Sequence, residues 1–307
     1  MPELPDITIY LEAIQARALG RELVAFKVRS PFLLRTFKPG PEDFAGRKLR
    51  ELRRLGKRLA LGFDGDFWMV LHLMIAGRLH WVEKVGDRAK PGAQALAVLE
   101  FEHGWLSLTE AGTKKRASLH LMEGASSLQE HQPGGLEVLD CSLDVFEQAL
   151  RRERHTLKRA LTDPHLFSGI GNAYSDEILH AAKLSPVAMT TSLKSDQVYA
   201  LYRSTGEVLR LWIDRLRREA ERGFPEKVTA FRPEMAVHGR YRLPCPVCTT
   251  PIQRIVHSAN ETNYCPKCQT GGKLLADRAL SPLLRKDWPA TVEAWEALRD
   301  RKRSGPS

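Results

Sequence analysis

FWMVLHLMIAGRLHWV, residues 67–82, decides the fold of the first part of the chain. Leucine, aromatic and β-branched side chains fill it, and Asp64-Gly65 just before it has the composition of a hairpin turn, so it reads as strand. RELVAFKVRS (21–30), KRLALGF (57–63), QALAVLEFE (94–102) and WLSLTE (105–110) share that character, with His103-Gly104 as a second turn. Ahead of the strands, Pro5 to Leu19 places Ile7, Leu11 and Ile14 at helical spacing and stops at Gly20, which predicts one amphipathic helix. Residues 1–135 are therefore expected to form a β-sandwich fronted by a helix.

GASSLQEHQPGG, 124–135, reads as a linker from its Gly, Ser and Pro content. Beyond it the pattern turns helical. SLDVFEQALRRER, TLKRALTD, AYSDEILHAAKL and SDQVYALYRSTGEVLRLWIDRLRREAERG repeat every 3.6 residues behind capping Ser, Thr or Asp residues, which makes 136–237 a helical domain. A small cysteine-bearing unit is expected over 238–280, and 281–307, ending in RDRKRSGPS, is expected to be a partly disordered tail. The fold class is thus α+β and multidomain.

Composition narrows the partners. The 307 residues carry 47 Lys+Arg against 37 Asp+Glu, a net charge of +10 that suits a polyanion such as nucleic acid, with an anionic membrane surface as the competitor. No apolar run approaches the roughly 18 residues of a membrane span, and the N-terminus has no signal-peptide pattern, so a cytoplasmic protein without a membrane partner is expected.

Four of the five cysteines form CPVC at 245–248 and CPKC at 265–268, a C-x2-C-x16-C-x2-C spacing that predicts a four-cysteine zinc site. Cys245, Cys248, Cys265 and Cys268 would close a tetrahedron around one structural zinc, leaving no position for water. A redox pair is the rival, disfavoured because two such pairs stand at ribbon spacing. Cys141 is left over as a small core residue. The flanking GRYRLP and PIQRIVHSANETNY read as strands, placing a hairpin tip near residues 258–261.

In LFSGIGNAYSDEIL, 166–179, a Gly-x-Gly-Asn turn precedes a helix, where backbone N–H groups and Asn172 can meet a phosphate. A glycine hinge between packed helices explains the same residues, and Lys158 and Arg159 nearby fit a solvated face. At the start, MPELPDITIY raises a further possibility. Removal of Met1 would make Pro2 a free secondary amine and hence a nucleophile, although Pro2 and Pro5 also suit the first turn of a helix.

PELPD, LGKRLAL with Lys57, HLMIAGRL, FSGIGNAYSDEIL and CPVC…YCPKCQ, in that order, resemble the formamidopyrimidine-DNA glycosylase and endonuclease VIII family over nearly all of residues 1–270. The resemblance implies a two-layer β-sandwich, a helix-two-turns-helix domain and a zinc finger, with damaged or abasic DNA held between them. It implies that Pro2 is the nucleophile and Glu3 the proton donor, that Lys57 binds phosphate or handles protons, and that Asn172 and Lys158 contact DNA around the lesion. The expected activity is that of a bifunctional glycosylase and AP lyase, acting as a monomer on nucleoid DNA.

The chain also departs from the family pattern. Asn260 stands where members usually carry a hairpin arginine five residues before the third cysteine. TEAGTKKRAS replaces the usual loop whose arginine and aromatic fill the gap behind a flipped base, leaving Lys114, Lys115 and Arg116 as the charge there. The wedge methionine aligns with Ile75, with Met74 one position earlier, and GFPEKVTAFRPEMAVHG, 223–239, is shorter than the loop that covers 8-oxoguanine in familiar members. These departures keep a second reading open, a damaged-DNA binding protein of the same fold with weak base excision.

Overall fold

The structure, a computed structural model, describes residues 1–84, 91–226, 228–229, 231–257, 260–276, 289–295 and 297. Two compact units divide it, one of residues 1–135 and 209–229, the other of 136–208 and 230–307.

In the first unit α1 (Leu4–Ala18) starts with Pro5 in its first turn, and the Asp6 carboxylate accepts the Glu3 N–H at 2.9 Å. Ile7, Tyr10, Leu11, Ile14 and Ala18 join the main core, and Leu4, Ile9 and Ala13 are buried as well, so more of the helix is covered than an amphipathic stripe requires. Glu12 and Arg217 are paired through two hydrogen bonds of 2.8 and 2.9 Å, and the Phe224 ring lies 5.8 Å from that of Tyr10.

Two antiparallel four-stranded sheets share that core. One has the order β1 (Leu23–Val28), β6 (Ala97–Phe101), β7 (Gly104–Glu110), β5 (Gly77–Glu83). The other has β2 (Leu49–Leu55), β3 (Arg58–Phe63), β4 (Phe67–His72), β8 (Ser118–Glu123). Leu79, Trp81, Leu99, Leu106 and Leu108 from one meet Leu61, Met69, Leu71, Leu119 and Leu121 from the other.

The 67–82 run is two strands, one in each sheet. Its first half lacks polar alternation because both faces of β4 are covered: Met69 and Leu71 face the core, while Trp68 and Val70 pack with Met122 of β8 and Leu128 of the 124–135 segment. That segment is a short 3-10 helix over Ala125–His131 and serves as a second cover, so it is more than a linker. The turn between the strands is tight, with Met74 at φ 52° and the Gly77 N–H donating to the Leu73 carbonyl at 2.9 Å. A β-carbon on Gly77 would meet that carbonyl oxygen at 2.3 Å. Gly77→Ala should therefore destabilise the chain by roughly 1–3 kcal/mol or more, read as a lowered midpoint of chemical unfolding. An unchanged midpoint would show that the turn relaxes freely.

The second unit holds α2 (Leu143–Arg151), α3 (Leu157–Thr162), α4 (Asn172–Ala181), the first half of α5 (Ser195–Ala220) and the cysteine-bearing region. Ser142 and Thr156 cap α2 and α3 by accepting the N–H groups of Val145 and Arg159. PIQRIVHSANETNY forms a hairpin of β9 (Gln253–His257) and β10 (Asn260–Tyr264), whereas GRYRLP forms no strand and only Pro244 bridges to Pro251. Two of the expected tip residues, 258 and 259, lie outside the described residues, as do most of 281–307; within that tail, Thr291 bridges to Lys273 and begins a helical turn. Among the described residues no helix is long and apolar enough to cross a membrane.

Candidate active site and zinc hairpin

The N-terminus is held inside the first unit. Pro2 is buried and Glu3 is 2% exposed, because the chain enters α1 directly from them. Burial pulls the terminal amine, carried here by Met1, below the ordinary α-amino range; Glu3 opposes the shift, Arg78 adds to it, Asp6 opposes it and Lys57 adds to it. An amine in this setting is neutral at neutral pH more often than one in water, and a neutral amine is the nucleophilic form.

Lys57 reaches the same neighbourhood from the tip of the β2–β3 hairpin. Leu55 pairs with Arg58, leaving Gly56 and Lys57 as the two turn residues, with Gly56 at φ 63°. Burial lowers the Lys57 pKa, Glu3 opposes the shift and Arg58 adds to it. His72, across the sheet from Arg58, is pushed down to about 4 by burial and the nearby Arg58, Lys57 and His120, so it stays neutral at neutral pH and adds no further repulsion.

Arg78 is the member of this group that sequence reading passed over, although it lies inside the HLMIAGRL motif. Its guanidinium donates to the carbonyls of Gly77 at 2.6 Å and Ile75 at 3.2 Å, which fastens it to the tight turn and keeps it beside the amine. Ile75 stands 58% exposed on that turn, while Met74 is half-buried.

The loop carrying Lys114, Lys115 and Arg116 is exposed. Buried Glu110 accepts the N–H of Arg116 at 2.9 Å and of Ala117 at 3.1 Å, fixing the far end of the loop. The Lys115 ammonium turns back to the carbonyls of Gly112, at 2.8 Å, and Glu110, so part of the positive charge counted from sequence is spent inside the loop.

In the second unit the four cysteine sulfurs lie within 4.8 Å of one another, with closest pairs at 3.3, 3.4 and 3.9 Å. A zinc with four sulfurs at about 2.3 Å has tetrahedral edges of roughly 3.8 Å, so the donor set fits one zinc ion. Burial pushes the Cys268 thiol up to about 11 and the Cys265 thiol higher still, while, against its own burial, hydrogen bonds with Thr250 and the neighbouring cysteines bring Cys248 down to about 6; four thiolates this close repel one another and require a cation.

Asn172 and Lys158 are drawn together. Asn172 Nδ2 donates to the Glu261 carbonyl of β10 at 2.9 Å, and Lys158 Nζ donates to the Asn172 carbonyl at 2.6 Å. Lys158 also lines a cavity of about 260 Å³ with Thr156, Arg159 and Thr262. Asn260 is exposed at the end of β10, paired with His257. The neighbouring Arg254 is tied to Glu261 at 2.9 Å and stacked over Tyr241 at 4.4 Å, so its charge is already matched.

A β-sandwich with Pro2 buried at its N-terminus, a helical domain and a four-cysteine hairpin define a DNA-repair glycosylase with AP-lyase activity. Three family models match in order: the formamidopyrimidine-DNA glycosylase N-terminal domain over residues 1–120, the H2TH domain of that glycosylase over 136–219, and the zinc finger found in FPG and IleRS over 242–271. The formamidopyrimidine-DNA glycosylase of Aromatoleum aromaticum is 31% identical over 284 residues, covering 88% of this chain and 99% of its own. That of Heliobacterium modesticaldum is 30% identical over 279 residues, covering 88% and 100%. A solved complex of the Lactococcus lactis enzyme with abasic-site DNA superposes with a TM-score of 0.76 at 23% identity, covering 87% of this chain and 99% of that one, a likeness of fold. The chain belongs to the formamidopyrimidine-DNA glycosylase family.

Proposed function

We propose that this chain excises damaged bases and nicks abasic sites through Pro2, after Met1 has been removed. The observation that carries this is the enclosed N-terminus beside Glu3, Lys57 and Arg78, where Pro2 is buried and burial lowers the proton affinity of the Met1 amine ahead of it. The Pro2 nitrogen lone pair attacks the sugar C1′ and the bond to the base breaks, the departing base taking up the proton that the Pro2 nitrogen sheds. Glu3 gives its proton to the ring oxygen as the sugar opens to an iminium ion. The iminium draws electrons and acidifies the C2′ proton; loss of that proton expels the 3′ phosphate, which is the strand cleavage. Lys57 and Arg78 bind the phosphates flanking the lesion, with Lys57 also placed to relay protons. Borohydride reduction in the presence of an abasic oligonucleotide tests this, because it makes the iminium adduct permanent. Absence of an adduct from a Met1-free chain would end the reading.

The substrate is damaged or abasic DNA, and the chain works as a monomer on it in the nucleoid; Asn172, Lys158, Lys114 and Arg116 supply phosphate and groove contacts, and Met74 and Ile75 the wedge behind the displaced nucleotide. A Gaussian gel-filtration peak at the monomer mass is the expected state.

One observation favours a narrower activity. Asn260 replaces a guanidinium that could grip phosphate with two charge-assisted hydrogen bonds, and Arg254, the nearest cation on the described hairpin, is matched by Glu261. A missing grip of this kind costs about 1.5–3 kcal/mol, borne mainly by the step that forces an intact nucleotide from the stack. The unmodified chain is thus expected to cleave abasic DNA faster than it removes 8-oxoguanine from duplex. Asn260→Arg should raise base excision roughly tenfold or more while changing abasic cleavage little. Single-turnover rates at fixed salt decide it, and equal wild-type rates on both substrates would refute the Asn260 argument.

A further inference from the structure

Asp176 of the second unit has none of its side chain exposed, and the reaction gives it no task. Its Oδ1 accepts Lys158 Nζ at 2.5 Å. Its Oδ2 lies 2.8 Å from His238 Nδ1 and accepts the Asn263 N–H at 3.1 Å, with Asn263 Nδ2 at 3.4 Å. His238 is 4% exposed and is held in turn, since the neighbouring Glu177 carboxylate accepts the N–H groups of Ala236, Val237 and His238 at 2.7, 2.9 and 2.9 Å.

Two periodicities meet here. Asn172 and Asp176 are one turn apart on α4 and share a helix face, while residues 261 and 263 of β10 present their backbone groups to the same edge of the hairpin. Asn172 donates to the carbonyl of 261 and Asp176 accepts the N–H of 263. The helix thereby satisfies the outer edge of β10 as another strand would, and it does so at two points, which fixes direction as well as position.

We propose that Asp176 is a positioning residue for DNA phosphate recognition: with Asn172 it clamps the outer edge of the zinc hairpin, and it holds the Lys158 ammonium so that the remaining N–H serves the cavity lined by Thr156, Arg159 and Thr262. This rests on the DNA-repair reading above. Lys158 spends two of its three N–H donors on Asp176 and the Asn172 carbonyl, leaving one for a phosphate oxygen. A flexible surface lysine would have to be ordered each time DNA bound, whereas this one is ordered beforehand.

The sign of one substitution separates positioning from simple charge. Asp176→Asn removes a negative charge next to a phosphate site, so charge alone predicts tighter DNA binding. Positioning predicts the opposite. We expect the full-length, zinc-loaded Asp176→Asn chain to bind a fluorescent duplex carrying a tetrahydrofuran abasic analogue about tenfold more weakly at fixed salt. Lys158→Met should weaken it comparably and reduce the slope of log K against log salt by about 0.9, the share of one phosphate contact. The double variant should lose less than the sum of the two single losses, because part of the Asp176 effect passes through that lysine and only the clamp on Asn263 acts apart from it. Equal or tighter binding by Asp176→Asn with zinc retained would overturn the proposal, as would strictly additive losses. If Asp176→Asn does not retain zinc, Asp176→Glu keeps the charge but displaces the carboxylate by one methylene: weaker binding with zinc in place supports the role, and unchanged affinity refutes it. Failure of the wild-type chain to bind the duplex would instead strike the DNA-repair reading itself.

Discussion

A chain carrying a short uncleavable extension ahead of Pro2 will form no borohydride-trapped adduct with abasic DNA, a loss of about a thousandfold or more relative to the Met1-free protein. The nitrogen of an internal proline is an amide, its lone pair delocalised into the neighbouring carbonyl, and it cannot form an iminium ion with the sugar. DNA affinity should change far less, because the phosphate contacts come from other side chains. The pH dependence offers a second check. Only the unprotonated Pro2 amine is nucleophilic, and Pro2 is buried, a setting that disfavours the charged form, so abasic nicking by the Met1-free chain should rise with pH as that amine loses its proton. Undiminished trapping by the extended chain would move the nucleophile elsewhere. Lys57 would be the next group to test, since burial also lowers its pKa.

Replacing Cys265 by serine should remove the zinc and, with it, most of the DNA affinity, while leaving the β-sandwich folded. The cluster around the metal ligands is small: Val237 and Ile252 pack with Cys245 and Cys265, so half of its fully buried members are metal ligands. Cys265 is itself wholly buried, caps α6 (Pro266–Thr270), and donates its N–H to Gln269 Oε1 at 2.8 Å, while Gln269 Nε2 reaches the Leu184 carbonyl at 2.9 Å. Structural zinc supplies about 10–16 kcal/mol to small units of this kind, far more than that cluster could supply alone. Metal analysis should fall from one zinc per chain to nearly none, and binding to an abasic duplex should weaken by roughly a hundredfold as the hairpin and its clamp on α4 are lost. Zinc-free protein that binds the duplex with undiminished affinity would show that the hairpin takes no part in recognition.

Much of this architecture is legible in local pattern. The spacing of four cysteines depends only on chain geometry near two turns, and the sulfurs do converge. Helices α1 to α5 lie within a few residues of their periodic segments, because their caps and apolar stripes are local properties. Strand β2, LRELRRL, carries a weak pattern: Arg50, Glu51 and Arg53 are exposed, Leu52 and Arg54 are half-buried, and only Leu49 and Leu55 at its ends are buried. The positions of Pro2 and Glu3 could be noticed from the first three residues, but neither composition nor periodicity told whether they were enclosed.

What the sequence determined by itself was the five principal helices, most strands of the first unit, the metal ligands and the presence of a proline that processing can turn into an amine. Tertiary structure alone decided that 67–82 crosses from one sheet to the other, that Arg78 joins the amine while Lys115 turns into its own loop, and that Asp176 reaches Asn263, 87 residues away. The division has a physical origin. Periodicity, capping and ligand spacing are set by neighbours within a turn or two, so they leave a mark in the sequence. Which buried carboxylate meets which ammonium or strand edge is set by the packing of distant segments, where every polar group removed from water must find a partner, and no local pattern records that choice.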